Sequence, residues 1–249
     1  MDNKKILVTG AGGYIGRHVV STLLDFGMKV IAADIHTEGI DERAERLQYD
    51  IFNGSKNIFQ ELGKPDVVLH LAWRDGFVHN SAAHMEYLSA HYMFARNMVA
   101  GGLHQFAALG SMHEVGYFEG AIDEDTACKP RSMYRVAKNA LRQSLEVLRE
   151  QEDFCFQWLR GYYITGDDLK NRSIFTKILE AENEGKEYFP LNSGKNRYDF
   201  ISLENLASEI ALTVIQDEVA GTINCCTGRP VSLKEKVEAF IQSKNLTIR

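Results

Sequence analysis

TGAGGYIGRH, residues 9–18, follows the apolar run KILV, residues 5–8. It sets Gly10, Gly13 and Gly16 at three-residue intervals, where a strand should give way to a helix. Glycine at a helix start costs about 0.5–1 kcal/mol relative to alanine, so three of them need an offsetting gain. A phosphate supplies one. The first backbone N–H groups of a helix have no partner within it, and its dipole favours negative charge there. The spacing is G-x-x-G-x-x-G; the stricter G-x-G-x-x-G fails because its last glycine would fall on Ile15. The strand-to-helix context gives the motif its weight. Gly10, Gly13, Tyr14, Ile15 and Gly16 are the candidate cofactor contacts.

Outward from this loop the chain alternates. YIGRHVVSTLLDFG (14–27) reads as a helix stopped at Gly27, and KVIAAD (29–34) as a strand. LQYDI (47–51) reads as a short strand, and SKNIFQELG (55–63) as a helix capped by Ser55. DVVLHLA (66–72) is continuously apolar, as buried parallel strands are. A long helix over 81–100, a strand over 104–111, a helix over 132–151 and a strand over 154–161 complete the alternation. The pattern predicts a Rossmann-type, doubly wound parallel α/β sheet. Past Gly166 it changes: a polar loop (167–173), a helix near 173–184 and an aperiodic stretch. Then come a helix (203–216), a strand (221–226) and a helix from Ser232 with a Ser232–Glu235 capping box. The expected division is a dinucleotide-binding domain over 1–166, joined by 199–226. A small substrate lobe is expected over 167–198 and 227–249.

Asp34 ends the second strand about 20 residues past the glycines, where a carboxylate accepts hydrogen bonds from ribose hydroxyls and repels a 2′-phosphate. That points to NAD. His36 and Arg43 lie nearby in sequence, so NADP stays open. Asp50 and Ile51 are placed to bracket the adenine.

YRVAK sets Tyr134 and Lys138 four apart, on one helix face. Lowering a tyrosine pKa from ~10 by about 3 units takes roughly 4 kcal/mol. A cation at about 4 Å, at an effective dielectric near 20, supplies about that much. Lys138, helped by an oxidised nicotinamide ring, would make Tyr134 a workable general base. Ser111, at the end of the strand HQFAALGS, can hydrogen-bond a substrate oxygen beside it.

In this order, TGAGGYIG, HLAW, GSMHEVGY, YRVAK and YDFISLENLA resemble the extended short-chain dehydrogenase/reductase family. More narrowly, they resemble its NAD-dependent nucleotide-sugar epimerase/dehydratase group, of the UDP-glucose 4-epimerase type. The resemblance covers nearly all of the chain and is strongest up to residue 166. It implies catalysis by Ser111, Tyr134 and Lys138, with the tyrosine moving the sugar hydroxyl proton and Lys138 also holding the nicotinamide ribose. It makes Leu71 and Ala72, in HLAW, neighbours of NAD.

Four departures qualify it. Ser111-Met112-His113 replaces the Thr-Asp-Glu of the dehydratases, which argues against water elimination; His113 reads as structural. RGYY places Tyr163 where an asparagine meets substrate. His91, in the place of a helix asparagine, reads as structural. Relatives run longer past the position of residue 249, which implies a reduced lobe. Arg197 resembles the arginine on the sugar-nucleotide diphosphate, a role its bidentate fork suits.

The expected activity is a redox-neutral epimerase working at a sugar carbon, C4 in the first place. The alternative is an NAD(P)H-dependent 4-ketoreductase of a deoxysugar nucleotide. A non-catalytic dinucleotide sensor would not need the tyrosine and lysine, and a reductase for non-sugar hydroxy compounds is a further reading. The net charge of −6, with no basic block, argues against nucleic acid. No metal site is expected, because the four cysteines show no CxxC spacing. They suit a reducing, cytoplasmic setting. No apolar run approaches the length of a membrane span. Apolar residues on more than one face of 81–100 and 132–151 raise the expectation of a homodimer.

Overall fold

The computed structural model describes residues 4–167, 171 and 173–249; part of the polar loop expected over 167–173 lies outside the described residues. Two compact units are present. The first comprises the described residues of Met1–Gly161 together with Ala207–Cys225, and the second those of Tyr162–Leu206 together with Cys226–Arg249.

The first unit is built on β1 (Lys5–Thr9), β2 (Lys29–Asp34), β3 (Glu45–Gln48), β4 (Val67–His70), β5 (Gln105–Ser111), β6 (Cys155–Gly161) and, from later in the chain, Gly221–Cys225. These seven strands form one sheet in the order β3-β2-β1-β4-β5-β6 and then Gly221–Cys225. Every pairing in it is parallel. The chain reverses its direction of growth between β1 and β4, the point at which such sheets open a ligand crevice beyond their carboxyl ends. Helices α1 (Gly16–Asp25), α2 (Ile58–Glu61), α3 (Ala83–Glu86), α4 (Leu88–Ala100) and α5 (Met133–Gln151) flank the strands. Phe94, Ala95, Met98 and Val99 of α4 and Leu141, Leu145 and Leu148 of α5 pack with Phe106, Phe156 and Trp158 of the sheet. Each of the valine, leucine, methionine and phenylalanine side chains among these, taken from water, contributes about 1.5–3 kcal/mol. Gln105 and Gln157, both fully buried, donate to the Val214 and Thr213 carbonyls.

The alternation expected from sequence is present, with particular differences. The expected 81–100 helix is two helices, Ala83–Glu86 and Leu88–Ala100, divided at Tyr87. The third strand falls earlier than 47–51: Asp50 folds into a turn, accepting from the Phe52 amide at 3.0 Å, and Ile51 goes into the core at 7% exposure. Ser55 does not cap α2; its hydroxyl donates to Glu61 at 2.7 Å.

In the second unit β7 (Tyr163–Thr165) pairs in parallel with β9 (Phe200–Ser202), and β8 (Arg197–Tyr198) pairs antiparallel with β11 (Val231–Ser232); the sheet strand Gly221–Cys225 is β10. α6 (Ile174–Asn183) and α8 (Leu233–Ser243) share an apolar cluster of Phe175, Ile178, Ala181 and Val237. α7 (Leu203–Val214) runs from this unit into the first. Ser232 caps α8 with the expected capping box to Glu235.

Candidate active site

The glycine loop leaves β1 at Gly10, with φ +69°. A Cβ there would stand 2.6 Å from the Ala72 amide nitrogen, so the loop lies directly on the end of β4. A Cβ on Gly16 would meet the Gly10 carbonyl at 2.2 Å, and one on Gly12 the His36 carbonyl at 2.6 Å. Gly13 differs: it is exposed, and its Cβ would meet only the Gly10 carbonyl, at 3.1 Å. The loop therefore packs its inner side backbone-to-backbone and presents its outer side, at the head of α1, bare. Tyr14 and Ile15 form the turn into that helix.

Asp34 ends β2 beside this loop. One carboxylate oxygen accepts from the Gly12 amide at 2.9 Å, the other from the His36 amide at 3.2 Å. Arg43 is committed to Asp25 and Asp41, at 2.7 Å to each. Leu71 donates its amide to the Thr9 carbonyl at 3.1 Å, and the Ala72 amide lies 3.4 Å from the Thr9 hydroxyl. These residues gather at the β1–β4 opening; the exposed Asp50 and the buried Ile51 follow Tyr49, whose amide donates to the Asp34 carbonyl at 2.9 Å.

Ser111, at the end of β5, starts a tight turn (Met112–Glu114); its hydroxyl accepts from the His113 amide at 3.2 Å. Glu114 in that turn is fully buried. It accepts from the Ser111 amide at 2.6 Å and from the Trp158 indole at 3.0 Å, with the Arg160 guanidinium at 4.0 Å. α5, capped by Ser132, brings Tyr134 and Lys138 to the same place. The Tyr134 ring stacks on His79 at 5.4 Å and meets the edges of Trp73 and His84 at 6.0 and 5.4 Å. Its amide donates to the His79 carbonyl at 2.9 Å, which fastens the 73–84 segment over it.

The electrostatics differ from the expectation that Lys138 lowers the Tyr134 pKa. Burial pushes the phenol above the ordinary tyrosine range, the Glu114 charge adds to this, and a hydrogen bond from Ser111 opposes it. Lys138 Nζ stands 5.9 Å from the Tyr134 ring centre and donates instead to the Leu109 carbonyl at 2.6 Å. Burial pushes Lys138 itself down to about 7, against the pull of Glu114. His113 is held down to about 4, by burial first and then by the charges of Arg135 and His79.

Tyr163 and Arg197 belong to the second unit. Tyr163 packs against Tyr198 and Phe200, and Arg197 donates to the Pro230 carbonyl at 2.5 Å.

The pattern of the NAD dependent epimerase/dehydratase family matches residues 6–226. The chain belongs to this family. It is accordingly an NAD-dependent enzyme, and the bare outer side of the glycine loop with the Asp34 carboxylate beside it fits that cofactor. A family relative from Aggregatibacter actinomycetemcomitans, dTDP-6-deoxy-L-talose 4-dehydrogenase (NAD(+)), is 45% identical over 98% of this chain and 92% of its own length. Among solved family structures, UDP-N-acetylglucosamine 4-epimerase from Methanobrevibacter ruminantium M1 superposes with a TM-score of 0.87 at 20% identity. The match covers 100% of this chain and 84% of that one. UDP-glucose 4-epimerase from Thermotoga maritima gives 0.83 at 20% identity, covering 98% and 84%. These two establish the fold.

Within the family frame, the side chains that sequence reasoning missed are Trp73, His79, His84 and Glu114. The tryptophan lies within HLAW, beside Leu71 and Ala72. Nothing in the local sequence tied the three aromatic groups to Tyr134.

Proposed function

We propose that this chain is an NAD-dependent oxidoreductase acting at C4 of a nucleotide-activated 6-deoxysugar. Tyr134 is its acid/base, Ser111 hydrogen-bonds the reacting oxygen, and Lys138 orients the cofactor ribose. The observation that supports this best is the half-buried Tyr134 phenol, held towards its protonated form by desolvation and bonded to Ser111 where β5 opens. A neutral phenol there can give a proton to a C4 carbonyl oxygen as the alcohol forms. NAD, when bound, carries the hydride. Gly13 and the head of α1 hold its diphosphate, and Asp34 its adenosine ribose. The 45% likeness to a dTDP-6-deoxy-L-talose 4-dehydrogenase supports C4 and the deoxysugar. Tyr163 and Arg197 are proposed substrate contacts, the guanidinium for the diphosphate.

The second reading is a redox-neutral 4-epimerase. It needs the same three side chains, and a relative of that name from Neisseria meningitidis is 25% identical over 98% of this chain. No helix among the described residues is long and apolar enough to cross a membrane. A cytoplasmic homodimer completes the proposal, supported by the exposed Met85, Met93, Met133, Val136 and Val147 of α3–α5.

The test follows reduced nicotinamide by absorbance while the purified protein meets dTDP-linked 6-deoxyhexoses with NAD, their 4-keto forms with NADH, and UDP-glucose or UDP-galactose. Stoichiometric change with the deoxysugars is expected. Interconversion without net absorbance change would establish the epimerase, and no turnover with any of them would overturn both readings.

A further inference from the structure

Lys138 is a buried cation, 4% exposed, and the acceptor of its ammonium is the Leu109 carbonyl. Burying a charge this way is costly unless the surroundings compensate it. Trp73 offers compensation of a particular kind, because Nζ lies over its ring, 3.8 Å from the centre. Tryptophan is the best of the aromatic faces for a cation, and the attraction strengthens away from water.

The indole is itself held. It stacks on the buried His91 at 4.3 Å with 19° between planes, and stands at 90° to Tyr134. Its Nε1–H donates to His84 Nδ1 at 3.1 Å. Indole nitrogen only donates, so His84 Nδ1 carries the lone pair and the proton sits on Nε2, which donates to the Val78 carbonyl at 2.9 Å. The loop carbonyl fixes the histidine tautomer, and the histidine fixes the rotation of the indole.

We propose that Trp73, locked by His84 and His91, is a positioning residue: its ring face holds the Lys138 ammonium charged and in place beside Tyr134. The proposal rests on the reading above only where turnover is measured. Several other groups face Lys138. Glu114, in the turn after β5, favours its charge. His70 at the end of β4 and His91 on α4 are buried and lie within range of its field, as does Tyr134 one turn earlier on α5. Burial holds His70 and His91 neutral, so neither sets a second cation against the ammonium.

Trp73→Leu removes the ring face and keeps apolar bulk; Trp73→Phe keeps a weaker face. Loss of the face disfavours the ammonium, so the alkaline limb of the pH–rate profile should move to lower pH by about one unit, a tenfold change in the protonation equilibrium. Trp73→Phe should recover more than half of the shift. A limb that stays in place or moves up in Trp73→Leu, or an equal shift in both variants, would overturn the proposal. Equal loss of rate at every pH, marking a merely structural role, would do the same. Thermal unfolding checks that each variant folds. If Trp73→Leu does not, His84→Leu should shift the limb and His84→Gln, which restores an acceptor for the indole, should not. A readout free of substrate decides the matter if no sugar nucleotide turns over. The intrinsic fluorescence of the wild-type protein should titrate near neutral pH, and Lys138→Met should abolish that step; persistence of the step would refute the contact.

Discussion

Two glycines of one loop should fail in different ways. Gly10→Ala places a side chain at φ +69°, a left-handed conformation costing about 1–2 kcal/mol. Its Cβ would also lie 2.6 Å from the Ala72 nitrogen and 2.7 Å from the Ala72 Cα. Those atoms are backbone, so β4 or the loop must move, at the ~1–3 kcal/mol typical of overpacking. The unfolding free energy should fall by about 2–5 kcal/mol, a large part of the ~5–15 kcal/mol of an ordinary domain. Gly13→Ala has no such penalty: its φ is not positive and its Cβ meets one carbonyl oxygen at 3.1 Å. Stability should stay within ~1 kcal/mol of the wild type. Its methyl, however, projects from the exposed side against which the diphosphate is proposed to lie. NAD affinity should drop at least ~10-fold, about 1.4 kcal/mol. Urea unfolding and calorimetric NAD titration measure the two quantities separately. Unchanged NAD binding in Gly13→Ala would refute the cradle. Unchanged stability in Gly10→Ala would refute the close approach of loop and β4.

The remaining predictions are compact. Tyr134→Phe should lower kcat by about 10²–10⁴ while leaving the NAD Kd within ~2-fold, as steady-state rates and a binding titration would check. Asp34→Ala removes the acceptor of the Gly12 and His36 amides and of the proposed ribose contact. The ratio of kcat/KM with NAD to that with NADP should fall by ~10-fold or more. Burial holds His70 down to about 3 and His113 to about 4, and His91 well below the ordinary range. Below about pH 6.5 the unfolded chain binds these protons and the folded one does not, so each group removes about 1.4 kcal/mol of stability per pH unit as pH falls. Urea unfolding across this range should show the loss, and His113→Gln should remove one group's share of the slope.

What the sequence disclosed follows from how local each constraint is. β2 is found at the very residues expected, because KVIAAD is a short apolar strand between a glycine stop and a loop. The glycine loop is legible because only glycine tolerates Gly10's φ and the contacts of Gly16. Lys138 and Tyr134 share a helix face by spacing alone. The surroundings of Tyr134 were hidden for the opposite reason. Trp73, His79 and His84 lie some 50–60 residues before it, and a backbone bond from its amide to the His79 carbonyl brings them together. β7 and β9 are three-residue strands paired across the second unit, too short for any periodicity to reveal. Ile51 carried the apolar signature of a strand residue because it is a core residue in a turn, and composition cannot separate the two.

The direction of the Tyr134 shift bears on the chemistry. Spacing alone suggested a cation close enough to make a phenolate. The folded chain sends Lys138 to the Leu109 carbonyl and the Trp73 face instead, leaving burial and the Glu114 carboxylate to act on the phenol. Both of those stabilise the protonated form. Burial lowers Lys138 as well, against the pull of Glu114. The chain by itself therefore holds a proton donor, ready for a carbonyl oxygen. Taking a proton from a sugar hydroxyl needs positive charge beyond what these side chains supply, and an oxidised nicotinamide ring carries such a charge. On the proposed reading, the protonation state of Tyr134 then follows the redox state of the cofactor: protonated when reduction is to occur, more easily ionised when oxidation is.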